Sequence, residues 1–329
     1  MPEPPADEEL KTYIAEIAQR IDTTIEKQIG DKELSSIYEL LHYQTASGGK
    51  RLRPVLAALV SQALGGDLED TISVATSCEM IHSGSLAIDD CMDRDLFRRG
   101  KPAVHNVFTM GAAWMSGNVL AILGMKVGMQ RNMTMARVLM DTGLQLLLGQ
   151  TEEKMLRDLD ERTYLRVIGM KTASLFSAAT QIGALMAYAK PELVEAAAKY
   201  GYEVGMMYQL VDDLVPVLKS LKGGEPVEDV REGKATLAFV YANEKATQLQ
   251  KDHIQAFIHN PPPTKEMTDV LIAALTETEA VQRVEKAIEA RVEGALAALK
   301  AFPDSKFKTM LAAMPAYMRG ALMAEVANV

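Results

Sequence analysis

Residues 79–105, EMIHSGSLAIDDCMDRDLFRRGKPAVH, hold the densest chemistry in the chain: Asp89, Asp90 and Asp93 inside an apolar helical pattern, then Arg98, Arg99 and Lys101. Asp89 and Asp93 are four apart, so on a helix they share a face. Leu86, Ile88 and Met92 surround them with apolar side chains. Carboxylates held together in such a place repel one another and lose hydration, and a cation between them relieves both costs. The hard-cation expectation is Mg²⁺, which takes one or two carboxylates and fills its shell with water and phosphate oxygens. The basic cluster that follows then reads as a phosphate contact. A solvated acidic helix end followed by a basic turn would show the same residues.

Three further clusters carry matching chemistry. In Gly48-Gly49-Lys50-Arg51-Leu52-Arg53-Pro54 the glycines permit a tight turn, and Lys50 and Arg53, three apart, can face one anion. A solvated basic turn is the alternative. Lys171-Thr172 sits in GMKTASLFSAATQIGAL, where Met170, Ala173 and Leu175 partly desolvate the lysine. A negative partner is expected there, unless the lysine snorkels at a helix edge. Tyr208-Gln209-Leu210-Val211-Asp212-Asp213 brings a second acidic pair, with Gln209 four before Asp213 on the same face. Carboxylates for metal ions, cations for phosphate and long apolar helices point to a substrate with a diphosphate head and a hydrocarbon tail.

These clusters need helices to position them. The chain has 329 residues, 48% hydrophobic and only 5% aromatic, and Ala, Leu and Met dominate, which favours helix. The formal net charge of −9 disfavours a nucleic-acid surface. No apolar run reaches the length of a membrane span, and the acidic, Pro-rich start resembles no targeting signal. Two cysteines, Cys78 and Cys91, suit a reducing cytoplasm. Residues 1–7 read as a loose tail and 8–29 as a helix buried through Leu10, Ile14, Ile17, Ile21 and Ile25. A second helix is expected over 31–43, and others from Pro54 to Leu64 and from Asp67 or Asp70 to about Met92. Further helices fall at about 109–130, 133–159, 161–188, 192–221, 236 onward, 265–276, 277–301 and 305 to the end. No strand is convincing and no linker divides the chain. The expectation is a single all-α domain, a bundle of ten or more helices.

In order, GGKRLRP, DDCMD with FRRGKP, KTA, YQLVDD and EDVREGK followed by Thr236-Leu237 resemble the motifs of the trans-isoprenyl diphosphate synthases, the polyprenyl synthetase family, from the first helix through about Val240. The resemblance implies an all-α homodimer with helices around a deep central cavity, and a prenyltransferase that joins isopentenyl diphosphate to an allylic diphosphate. It implies metal ligation by Asp89, Asp93 and Asp212, with Asp90, Asp213 and Asp229 in support, for three Mg²⁺ in all. Arg98, Lys171 and Lys234 would hold the allylic diphosphate. Lys50, Arg53, His82 and Arg99 would hold isopentenyl diphosphate. Gln209 and Thr172 would face the developing positive charge.

The chain departs from the family in two places. The second acidic motif ends in Pro216 where the family has a third Asp, so the helix should kink or end there. Next, Glu225 replaces a family lysine and the run to Asp229 is one residue shorter, so one phosphate contact is lost unless Lys219 or Lys222 supplies it. In the family, aromatics four or five residues before the first Asp stop the product early. Here those positions are Ser85 and Gly84, with Ile81 below them, which implies a geranylgeranyl or somewhat longer product. Trp114 is a candidate for the cavity floor or for plain core. The rival readings are a weakly active or regulatory subunit of a heteromeric synthase, and a terpene cyclase on the same fold.

Overall fold

The structure is a computed structural model that describes residues 5–155, 160–223, 235–259 and 264–327. In chain order the helices are α1 (Pro5–Ile29), α2 (Tyr38–Thr45), α3 (Leu52–Ala63), α4 (Leu68–Asp93), α5 (Val104–Val107), α6 (Met110–Arg131), α7 (Met133–Met155), α8 (Glu161–Ile168), α9 (Ser174–Met186) and α10 (Pro191–Gly223). There follow α11 (Leu237–Lys245), α12 (Gln248–His259), α13 (Lys265–Glu277), α14 (Ala280–Ala298) and α15 (Lys306–Ala327). The only strands among the described residues are β1 (Phe97–Arg98) and β2 (Lys101–Pro102), paired antiparallel. The all-α expectation holds. The chain forms two compact units: residues 1–144, 175–201 and 298–311 make the first, and 145–174, 202–297 and 312–329 the second.

In the first unit, α1 buries Leu10, Ile14, Ile17, Ile21, Ile25 and Ile29, a stripe at three- and four-residue spacing. Each such side chain contributes roughly 1.5–3 kcal/mol relative to exposure. Helix α3 is buried on every side from Val55 to Val60, which marks it as the centre of this unit. Helices α4 and α6 touch backbone to backbone. A Cβ on Gly84 would lie 2.5 Å from the Gly117 carbonyl oxygen, and one on Gly124 would lie 2.7 Å from that of Ser77. Asp67 caps α4 by accepting from the Asp70 N–H at 2.9 Å.

The second unit is built on α8, α11–α14 and the stretch of α10 from Tyr202 onward. Val284, Ile288, Ala295 and Leu299 are buried as their spacing predicts, while Val281 and Val292 are only half-buried.

Several boundaries differ from the expectation. Helix α1 already runs from Pro5, within the segment read as a tail. Residues 32–37 form a 3₁₀ turn before α2, because Asp31 accepts from the Glu33 N–H and starts a tighter winding. The helix expected over 161–188 is interrupted by a π turn at Gly169–Ala173. Helix α10 continues through Pro216 to Gly223 rather than ending there. The proline removes one N–H, and apolar burial at Leu214, Val215 and Val217 holds the helix across that loss.

Candidate active site

The first unit gathers most of the expected isopentenyl diphosphate residues. Gly48 and Gly49 take φ values of 84° and 144°, and Arg51 is left-handed at φ 46°. That conformation costs a non-glycine residue about 1–2 kcal/mol, so contacts elsewhere must hold it. The Arg51 side chain provides them: it is buried, bound to Asp22 and Glu79 at 2.7 Å each and donating to the Thr45 carbonyl at 2.8 Å. Two residues on, Arg53 lies 4.3 Å above the Phe176 ring.

Helix α4 ends in Arg94, left-handed at φ 59°. The chain then turns back through β1 and β2, with positive φ at both turn residues, Arg99 (53°) and Gly100 (76°). Two such residues suit a two-residue hairpin whose twist matches its strands. The hairpin docks on the glycine loop. Arg99 donates to the Gly48 carbonyl, Lys101 Nζ donates to Ala46 at 3.1 Å, and the Pro102 carbonyl accepts from the Tyr43 hydroxyl at 2.8 Å. A Cβ on Gly49 would lie 2.5 Å from Arg99 Nη1, so only glycine admits the guanidinium here.

The basic cluster read as one phosphate contact thus divides its partners. Arg98 Nε binds Asp90 at 2.7 Å and its Nη2 binds Asp95 at 2.7 Å. Burial pushes the Asp90 carboxyl up, against the pull of Arg98. Asp90 is 2% exposed, whereas Asp89 and Asp93 are half-buried at the same helix end. Burial and the guanidinium groups of Arg53, Arg99, Arg51 and Arg98 hold the His82 imidazole well below its ordinary value, so it is neutral near pH 7.

That shift has a testable sign. The unfolded chain protonates this histidine below about pH 6.5 while the folded one does not, so the group lowers stability as pH falls through that window and is silent above it. Urea melts at about pH 5.5 and 7.5 should show a smaller acid loss in His82→Gln than in the parent; an equal loss would contradict the assignment.

The second unit gathers another set. Thr172 Oγ1 donates to Gln209 Oε1 at 2.6 Å, Gln209 Nε2 donates to Asp213 at 2.8 Å, and the Tyr164 hydroxyl donates to Asp213 at 2.5 Å. Burial and Asp213 push the Tyr164 phenol far up, so it remains a donor. Lys171 Nζ meets Glu153 at 2.5 Å, the negative partner that its apolar neighbours called for. The π turn sets both Lys171 and Thr172, and π turns recur at functional sites. Asp212 is exposed and Asp213 half-buried. Lys222 Nζ reaches the Val326 carbonyl at 3.2 Å, and Lys234, Asp229 and Glu225 lie outside the described residues.

The sequence reading missed Arg51, Glu79, Glu153 and Tyr164 as residues that hold others in place. A buried glutamate three residues before His82 was the available signal for the second. Gly84 and Ile81, read as cavity wall, pack on Gly117 and Gly124 of α6. Ser85, next round the helix, is half-buried and donates to the His82 carbonyl at 2.9 Å. Trp114 is not core: it is 42% exposed on α6, where Met115, Ile122 and Met129 are exposed as well.

A match to the polyprenyl synthetase family model spans residues 34–275, from the 3₁₀ turn into α13. The chain belongs to the polyprenyl synthetase family. Membership makes it a prenyltransferase of the polyprenyl diphosphate synthase class. Among relatives of this family member, a geranylgeranyl diphosphate synthase of Methanosarcina mazei is 30% identical over 94% of this chain and 98% of its own. A short chain isoprenyl diphosphate synthase of Methanothermobacter thermautotrophicus is 33% identical over 75% of this chain and 79% of its own. The crystal structure of a decaprenyl diphosphate synthase from Rhodobacter capsulatus superposes with a TM-score of 0.87 at 26% identity, covering 97% of this chain and 99% of that one.

The donor set suits a hard divalent cation. Asp89, Asp93 and Asp212 offer hard carboxylate oxygens, each half-buried or exposed. Among the described residues no three His, Cys, Asp or Glu side chains close around one point.

Proposed function

We propose that the chain condenses isopentenyl diphosphate with an allylic diphosphate to give geranylgeranyl diphosphate or a somewhat longer product. One observation carries this reading: the hairpin that follows the Asp89 and Asp93 end of α4 brings Arg99 and Lys101 onto the glycine loop that carries Lys50. A cation field beside a carboxylate pair suits a diphosphate and its counter-ions.

On this reading Asp89, Asp93 and Asp212 hold three Mg²⁺ ions. Asp90 orients Arg98, and Tyr164 and Gln209 hold Asp213. Magnesium, when bound, offsets charge on the leaving diphosphate so that the allylic C–O bond can ionise. Arg98, Lys171 and Lys234 bind that diphosphate. Lys50, Arg53, His82 and Arg99 hold the second substrate so that its double bond meets the allylic carbon. The oxygens of Gln209 and Thr172 face the developing positive charge. Apolar walls exclude the water that would trap it as an alcohol. The departed diphosphate takes the proton released as the new double bond forms.

The purified protein, given Mg²⁺, farnesyl diphosphate and radiolabelled isopentenyl diphosphate, should yield a labelled prenyl diphosphate of about twenty carbons or more, one or more five-carbon condensations beyond the starter. No turnover by the chain alone would favour a subunit of a heteromeric synthase, and a product without diphosphate would favour a cyclase.

A homodimer belongs to the same reading. Trp114, Met115, Ile122 and Met129 of α6, with Met133 and Met140 of α7, expose an apolar stripe that a second copy would cover. Sedimentation should give the mass of two chains, reduced to one by Ile122→Glu. A parent that stays monomeric at micromolar concentration would remove the dimer from the account. Free, buried Cys78 and Cys91 support placement in the cytoplasm.

A further inference from the structure

The buried ion pair between Arg51 and Glu79 has no place in the reaction described above. Both side chains are only 2% exposed, on α3's N-cap and in the middle of α4. Arg51 uses its whole guanidinium: Nε to Asp22 of α1 at 2.7 Å, Nη1 to Glu79 at 2.7 Å and to the Gly48 carbonyl at 3.3 Å, and Nη2 to the Thr45 carbonyl at 2.8 Å. The Gly48 carbonyl also accepts from Arg99. One peptide oxygen therefore bridges a guanidinium fixed in the core and a guanidinium at the site. His82 lies three residues beyond Glu79, on the same face of α4.

We propose that Glu79 is a positioning residue for isopentenyl diphosphate binding, acting through Arg51 and the Gly48 carbonyl on Arg99 and on the loop that carries Lys50. The inference rests on the proposed function of the site. The physical reason is rigidity. A loop with two glycines at positive φ has many alternative conformations, and ordering it on ligand binding would weaken affinity. The Arg51 fork ties carbonyls at both ends of the 45–48 segment to one buried carboxylate, so the cost is met on folding rather than on binding. Removing the negative charge leaves Arg51 with Asp22, which is half-exposed, as the one carboxylate of this fork, and loosens the loop from its core side.

The test is Glu79→Gln, which keeps the shape and removes the charge. The KM for isopentenyl diphosphate should rise about tenfold, with kcat and the KM for the allylic substrate within about twofold of the parent. Amides 46–49 should exchange faster in Glu79→Gln while those of α4 are unchanged. If Glu79→Gln does not fold, Asp22→Asn tests the same fork from its exposed side and should show a smaller change in the same direction. Equal rises in both KM values would assign Glu79 a merely structural role and overturn the proposal. Unchanged exchange at 46–49 would overturn it as well. A parent protein that transfers no prenyl group would refute the functional reading instead, and the exchange comparison would still decide the clamp.

Discussion

Asp93→Asn should abolish chain elongation without lowering thermal stability. Asp93 is the last residue of α4, and Asp89 lies one turn before it. Both sit where the helix macrodipole is negative. Acids at that end cost stability, about 0.3–1 kcal/mol each at partly exposed positions. The proposed function assigns them to a bound cation. Replacing either carboxylate with its amide keeps the shape and removes one hard oxygen ligand. Catalysis that depends on offsetting the leaving diphosphate should then fall on the order of 10³-fold. Incorporation of labelled isopentenyl diphosphate measures the loss, and a calorimetric melt should place the variant at or slightly above the parent. Retention of more than about a tenth of the activity would sink the metal assignment. A lower melting temperature would sink the argument from the helix end.

The second large effect separates two neighbours on α4. Gly84→Ala should destabilise the first unit by about 2–4 kcal/mol, because the added methyl meets the Gly117 carbonyl and the helices must part. The backbone cannot yield as a flexible side chain would. Ile88, one turn further along the same face of α4, also packs on Gly117, so the strain reaches the turn that carries Asp89. Ser85→Phe should instead fold with a near-normal melt and give shorter products, since Ser85 points about 100° round the helix from Gly84 and is half-buried. Product analysis by chain length and a thermal melt of each variant decide the matter. A stable Gly84→Ala would refute the close approach of α4 and α6. Unchanged products from Ser85→Phe would remove product length from this face of α4.

Much of this was legible in the residues. The spacing of Ile14, Ile17, Ile21 and Ile25 marks a helix because a 3.6-residue period admits few other solutions, and those residues are buried. The ordered motifs point to a family because each couples a residue type to a charge that a diphosphate or a cation requires. Local signals also located several helix starts, among them those at Asp67 and Thr109. The π turn at Gly169–Ala173 was hidden, because a one-residue bulge in a helix leaves the apolar pattern nearly unchanged.

Partner choice was not legible. Arg51 and Arg53 look alike in GGKRLRP, yet one lies in the core against Glu79 and the other over Phe176. Asp89 and Asp90 are adjacent, yet Asp90 turns inward to Arg98. By itself the sequence determined the helical class, the family and the set of charged residues, since these follow from periodicity and residue type. Only the tertiary structure decided which charge is used up in holding another. Ion-pair geometry depends on where separate helices bring their side chains, and no local pattern encodes that.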